Sequence, residues 1–227
     1  MLWFDRSSPG PGLSLRTGHA WRTLDPSVGQ AGRRPEGAPV TPRVVLLADV
    51  APQAWRNGGG QTHELLTWPG DGGWSLRISV ARIERDGPFS SFPGAERWFT
   101  VIDGAGVILQ LDEPRRLVPR GAPIRFDGAR MPQCRLIDGP TLGLDLMLRG
   151  QSGRMLAALP GTRWHSDARQ RGLYAAAAGR WSDSQGRQLD LPAGSLLWCD
   201  DDVRPGHYAS FDARGWWIAA GPSEGLQ

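Results

Sequence analysis

Along most of this chain, apolar and polar residues alternate with the two-residue period of a β-strand, and no segment shows a convincing 3.6-residue helical period. The clearest case is residues 74–83. Trp74, Leu76, Ile78 and Val80 fall on one face, and Ser75, Arg77, Ser79 and Ala81 on the other. One face is expected to be core. The opposite face offers a guanidinium among small residues, which is how a sheet makes room for a ligand. Similar short runs predict strands at 44–47, 62–68, 98–102, 106–111, 116–118, 124–126, 135–137 and 142–148. A second series is predicted at 155–159, 173–180, 187–191, 195–198 and 216–220. Short strands every 8 to 12 residues or so, with turn residues between them, indicate an all-β sandwich or barrel.

Residues 1–42 break this pattern. They are rich in Pro, Gly, Arg and Ser, as in Pro9-Gly10-Pro11-Gly12, with apolar residues at no regular period, so they predict a disordered extension. The remainder divides into two stretches of similar texture, residues 43–150 and 151–227, read as two β-barrel domains.

Composition narrows the class. The chain has 227 residues and 26 basic ones, all arginine, against 23 acids. The first 42 residues hold five of those arginines and three of the acids, which leaves the body close to neutral, its arginines interleaved with acids. That distribution predicts no nucleic-acid partner. No apolar run reaches the roughly 18 residues needed to span a bilayer, so no membrane partner is expected. The start Met1-Leu2-Trp3-Phe4-Asp5-Arg6 lacks a signal-peptide pattern, and Cys134 and Cys199 form no C-x-x-C pair; a cytoplasmic chain with reduced thiols is expected. The sequence leaves a homodimer open.

Candidate chemistry gathers in three segments. Trp55-Arg56-Asn57-Gly58-Gly59-Gly60-Gln61-Thr62 carries three glycines in a row, which mark a special backbone path flanked by an indole, an amide and a hydroxyl. Arg77-Ile78-Ser79 supplies a cation, and Gly87-Pro88-Phe89-Ser90-Ser91-Phe92-Pro93-Gly94-Ala95-Glu96-Arg97 follows. The glycine triplet lacks the Lys-Ser/Thr of a P-loop, and no Gly-x-Ser-x-Gly nucleophile motif occurs. Bland roles stand beside the functional ones. Trp55 can simply staple its loop to the core, Phe89 and Phe92 can be core, and Arg77 and Glu96 can pair with each other or with neighbouring strands.

Residues 90–96 resemble the first cupin motif, with Ser90 and Phe92 where two metal-binding histidines would stand. Residues 190–197 resemble the second motif, with Leu197 in the place of its histidine. Neither an aliphatic nor an aromatic hydrocarbon offers lone pairs, so no metal or other cofactor is expected. Taken together, the three segments, in their order and spacing, resemble the HutD/Ves family. The resemblance implies a bicupin, two jelly-roll β-barrels in one chain. It implies binding of a histidine-degradation intermediate, urocanate or formyl- or formimino-glutamate, by a governor of histidine utilisation rather than one of its enzymes. The pocket it implies is lined by Trp55, Asn57, Gly59, Thr62, Arg77, Ser79, Phe89, Ser90, Phe92, Glu96 and Arg97, with Met147 from a later strand. Gly143, Asp145 and Met147 stand where the family shows an acid, Asn and Met. The alternative is a metal-independent isomerase or hydrolase acting on a small carboxylate-bearing metabolite, with Glu96 or His63 as general base; no catalytic nucleophile with its own base can be named.

Overall fold

The computed structural model describes residues 42–69, 73–201, 203 and 206–221. The expected disordered extension, residues 1–42, lies outside the described residues apart from Pro42. In chain order the strands are β1 (Arg43–Leu46), β2 (Gln53–Ala54), β3 (Gly60–Trp68), β4 (Leu76–Ile83), β5 (Gly87–Pro88), β6 (Ala95–Asp103), β7 (Val107–Gln110), β8 (Pro114–Leu117), β9 (Ile124–Asp127), β10 (Gln133–Leu136) and β11 (Thr141–Arg149). They continue as β12 (Ser152–Ala158), β13 (Arg163–His165), β14 (Gln170–Ala175), β15 (Gly179–Asp183), β16 (Gln188–Leu191), β17 (Ser195–Asp200), β18 (Tyr208–Phe211) and β19 (Gly215–Gly221). A single 3-10 turn, Leu47–Asp49, is the only helical element among the described residues.

The all-β expectation holds. Each half is a jelly-roll-like pair of antiparallel sheets that face one another without joining into one closed sheet. The first half pairs a six-stranded sheet, β2-β3-β4-β11-β6-β9, with a four-stranded one, β5-β10-β7-β8. The second pairs a five-stranded sheet, β1-β17-β14-β19-β12, with β13-β18-β15-β16. The two halves repeat one another in strand order, β4-β11-β6-β9 matching β12-β19-β14-β17.

Alternation along the strands has a consequence that the two-faced expectation did not contain: both faces of the large sheets are buried. Leu76, Ile78 and Val80 of β4 and Leu144, Leu146 and Leu148 of β11 pack against Met155, Tyr174, Trp198, Trp216 and Ile218 of the second half. The halves are thus joined by a shared apolar core. The other faces line two separate interiors, one around Phe89, Phe99, Val101 and Phe126, the other around Leu173, Trp181, Leu197 and Trp217. Trp216 and Trp217 divide between the two, one ring on each face of β19, as successive residues of a strand must. Leu197, at the cupin histidine position, is 1 % exposed within the second interior.

Four details differ from the sequence expectation. Arg43–Leu46, read with the first half, pairs antiparallel with β17 and completes the sheet of the second half. The run 173–180 is two strands, because the alanines at 176–178 form a turn whose amides at Ala176 and Ala177 bond the carbonyl of Arg214. Strands β13 and β18 pair with each other; they are three and four residues long and too short for alternation to announce them. Trp74, expected on the core face, precedes β4 and turns instead toward Phe92, with ring centroids 6.4 Å apart. Both cysteines are free and buried. Among the described residues, no helix is long and apolar enough to cross a membrane.

Candidate functional site

The floor of the first interior is laid out by register. Across β4, β11 and β6, Arg77 lies opposite Met147 and Met147 opposite Arg97. One step along, Glu64 of β3 lies opposite Ser79, Ser79 opposite Asp145 and Asp145 opposite Phe99. A third row runs from Thr62 through Ala81 and Gly143 to Val101. A β-bulge between Glu64 and Leu66 makes this possible. The extra residue lets Leu65 and Leu66 both enter the shared core while Glu64 keeps its inward place. Gly143 is required by close packing, since a Cβ there would overlap the ring of Phe99.

Two arginines dominate the chemistry. Arg77 and Arg97 are 5 % and 6 % exposed, and each has an acid beside it. Arg97 Nε donates to Asp145 Oδ1 at 2.6 Å. Arg77 Nε lies 2.9 Å from Glu64 Oε2, and Thr67 Oγ1 donates to Glu64 Oε1 at 2.6 Å. Burial pulls the Arg77 guanidinium below its ordinary pKa, Glu64 and then Asp145 push it back, and Arg97 adds to the lowering. Arg97 Nη1 is buried and has no hydrogen-bond partner among the described residues.

Aromatic rings enclose the pair. Arg97 Cζ sits 4.5 Å from the centre of Phe89 and 5.6 Å from that of Phe126. Both guanidiniums reach the half-buried ring of Phe92, Arg77 at 5.8 Å and Arg97 at 5.9 Å. Trp74 meets Phe92 edge-on and carries Arg149 4.0 Å from its own ring centre. Phe92 is held in place by its amide, which donates to Gly128 O at 2.6 Å.

Of the residues expected at the site, Arg77, Ser79, Arg97, Met147, Thr62, Phe89 and Phe92 meet at this interior. Trp55 donates its indole N–H to Thr62 Oγ1 at 2.8 Å and packs against the inner cluster, so it does staple its loop. Gly59 offers its carbonyl to the amides of Glu84 and Arg85, at 2.9 and 3.1 Å. Asn57 is exposed, and its side-chain oxygen accepts from the Gly59 amide at 3.0 Å. Ser90 is half-buried in the loop that leads to Phe92.

Glu96 goes elsewhere. It points to the opposite face of β6, where it accepts from Trp98 Nε1 at 2.9 Å and from Arg125 Nη1 at 3.3 Å. Of the two bland pairings open to Arg77 and Glu96, with each other or with neighbouring strands, the second is found: Arg77 meets Glu64 of β3 and Glu96 meets Arg125 of β9, because Glu96 and Arg97 are adjacent in a strand and face opposite ways. His63 likewise lies on the opposite face of its strand, half-buried, with Nδ1 2.8 Å from Val50 O. Neither of the two proposed general bases faces the arginines. Among the described residues, no three His, Cys, Asp or Glu side chains converge as a metal site would require.

Two charged members of the interior, Glu64 and Asp145, are absent from the lining expected from sequence, although Asp145 stands at a position that the family resemblance marks. Each had a signal. Asp145 is the single charge in the apolar run 142–148, and Glu64 shares the inward parity of Thr62.

The sequence profile of the HutD family matches residues 47–214. An uncharacterised 21.2 kDa protein in the hutC 3′ region of Pseudomonas putida is 35 % identical over 153 residues, 65 % of this chain and 80 % of that protein. Protein Ves of Citrobacter koseri is 35 % identical over 100 residues, which cover 42 % of this chain and 51 % of its own length. Among solved structures, that of HutD from Pseudomonas fluorescens SBW25 superposes with a TM-score of 0.71 at 29 % identity, covering 79 % of this chain and 98 % of the other.

Proposed function

The chain belongs to the HutD family, and on that premise we propose that it is a metabolite-binding protein whose first interior takes a carboxylate-bearing intermediate of histidine degradation. Urocanate or a formyl- or formimino-glutamate is the ligand, no metal takes part, and the bound state modulates histidine utilisation. The histidine-utilisation context is supported by the relative from the hutC 3′ region of Pseudomonas putida and by the likeness to HutD of Pseudomonas fluorescens.

The observation that carries the reading is Arg97 Nη1, buried and without a hydrogen-bond partner among the described residues. A charged N–H left without an acceptor away from water is costly, and a ligand carboxylate relieves that cost with a charge-assisted bond. Arg77, the cation expected from sequence to take the acid, has Glu64 beside it as Arg97 has Asp145, and Arg97 adds the Nη1 that no acceptor among the described residues meets. Phe92 and Phe89 supply flat apolar surface for an imidazole or formimino group.

Calorimetric titration against urocanate and formiminoglutamate tests the proposal. The wild type binds one of them, and Arg97→Lys, which keeps the charge beside Asp145 but loses the planar fork, binds it about tenfold or more weakly. Absence of heat with both compounds at millimolar concentration would overturn it.

A further inference from the structure

The two acids beside the arginines are not equivalent. Asp145 is locked: its side chain is 3 % exposed, and Arg97 Nε points at it along a hydrogen bond. Glu64 is the looser partner. Its side chain is 22 % exposed, it stands at the bulge of β3, and it meets Arg77 as an ion pair at 2.9 Å, longer than the 2.6 Å of Arg97 and Asp145. What keeps Glu64 turned toward Arg77 is the hydroxyl of Thr67, three residues further on.

We propose that Glu64 is a built-in competitor for the anion site: its carboxylate occupies the Arg77 end of the arginine pair, and an incoming ligand carboxylate displaces it outward. The inference rests on the reading of this interior as a carboxylate site and adds the group that sets its affinity and selectivity. Among the described residues, the guanidiniums of Arg77 and Arg97 already face the carboxylates of Glu64 and Asp145 in two ion pairs. A third carboxylate therefore enters against a repulsive neighbour, and moving Glu64 toward solvent removes that repulsion at little desolvation cost, because Glu64 is already the most exposed of the four. A neutral ligand gains nothing from the exchange. Glu64 thereby discriminates on charge, making weak acids compete for the site that a strong, well-fitted carboxylate captures.

This predicts the reverse of the usual result of mutating a polar residue in a site. The experiment titrates wild type, Glu64→Gln and Thr67→Val with whichever of urocanate and formiminoglutamate binds wild type more tightly, and with the amide of that acid. Glu64→Gln should bind the acid at least threefold more tightly than wild type and the amide no differently. Thr67→Val, which releases Glu64 without removing its charge, should shift acid binding in the same direction by less, and decides the question alone if Glu64→Gln fails to fold. Unchanged or weaker acid binding in these variants, with wild type binding normally, would overturn this proposal and make Glu64 an acceptor for the ligand or a structural anion. No binding to any of the three proteins would instead remove the parent reading, and this one with it.

Discussion

Arg97 donates its Nε–H to Asp145 Oδ1 across 2.6 Å, a diagonal pair, since the residue directly opposite Arg97 on β11 is Met147. Both partners are almost fully buried, at 6 % and 2 % exposure. Removing one side of such a pair leaves an uncompensated charge in the interior. Asp145→Ala should therefore lower unfolding stability by about 3–5 kcal/mol, read from urea titration. A loss within experimental error would mean that water reaches Arg97.

The core shared by the halves makes a second prediction. Ile218 of β19 is fully buried, in the same cluster as Leu144 and Leu146 of β11. Ile218→Ala should cost about 2–5 kcal/mol. It should also shift a single unfolding transition seen by probes in both halves, rather than that of the second half alone. Two separate calorimetric transitions in the wild type would show that the shared face does not couple them.

Gly143 offers a third. Its missing Cβ is the space filled by the ring of Phe99. Overfilling a packed interior costs about 1–3 kcal/mol, so Gly143→Ala should be destabilising, and a double change with Phe99→Leu should recover part of the loss. Additive losses in the double variant would refute the contact as the cause.

Alkaline pH supplies a fourth. Burial pushes the Cys134 thiol from 9.0 up to about 12 and the Cys199 thiol from 9.0 up to about 11. Tyr174 rises from 10.0 to about 12, again chiefly through burial. In each case the folded state holds a proton that the unfolded chain releases. The associated stability is complete below pH 9 and is lost as pH rises from there toward 11 to 12. Thermal melts from pH 8 to 11 should show a falling midpoint, and at pH 8 both thiols should react with a thiol reagent only after unfolding. Rapid labelling of native protein would contradict the burial argument.

The side on which several of the candidate residues fall was legible in the sequence because it rests on local parity. Arg77, Ser79 and Arg97 sit at inward positions of their strands, and Phe89 and Phe92 precede β6 as their spacing implied. Glu96 was misread for the same reason in reverse. It adjoins Arg97, so in an extended strand it has to face the other way, toward Trp98 and Arg125. Asn57 belonged to the right loop, but its side chain closes that loop on itself.

The sequence by itself determined the class of the fold, the approximate strands and which residues share a face, because alternation is set by the backbone from one residue to the next. It also determined that the glycine-rich turn is special, since three successive residues without a side chain have no place in an ordinary strand. Only the tertiary structure decided what each face meets. That both sides of β4 are buried, that Arg43–Leu46 completes the opposite half, and that Arg77 finds Glu64 while Arg97 finds Asp145 all depend on register between distant segments. The Arg97–Asp145 pair spans 48 residues of sequence. A slip of one residue in that pairing would turn one partner to the other face, and nothing in the pattern along a single strand specifies the offset; it is set by the summed packing of whole sheets.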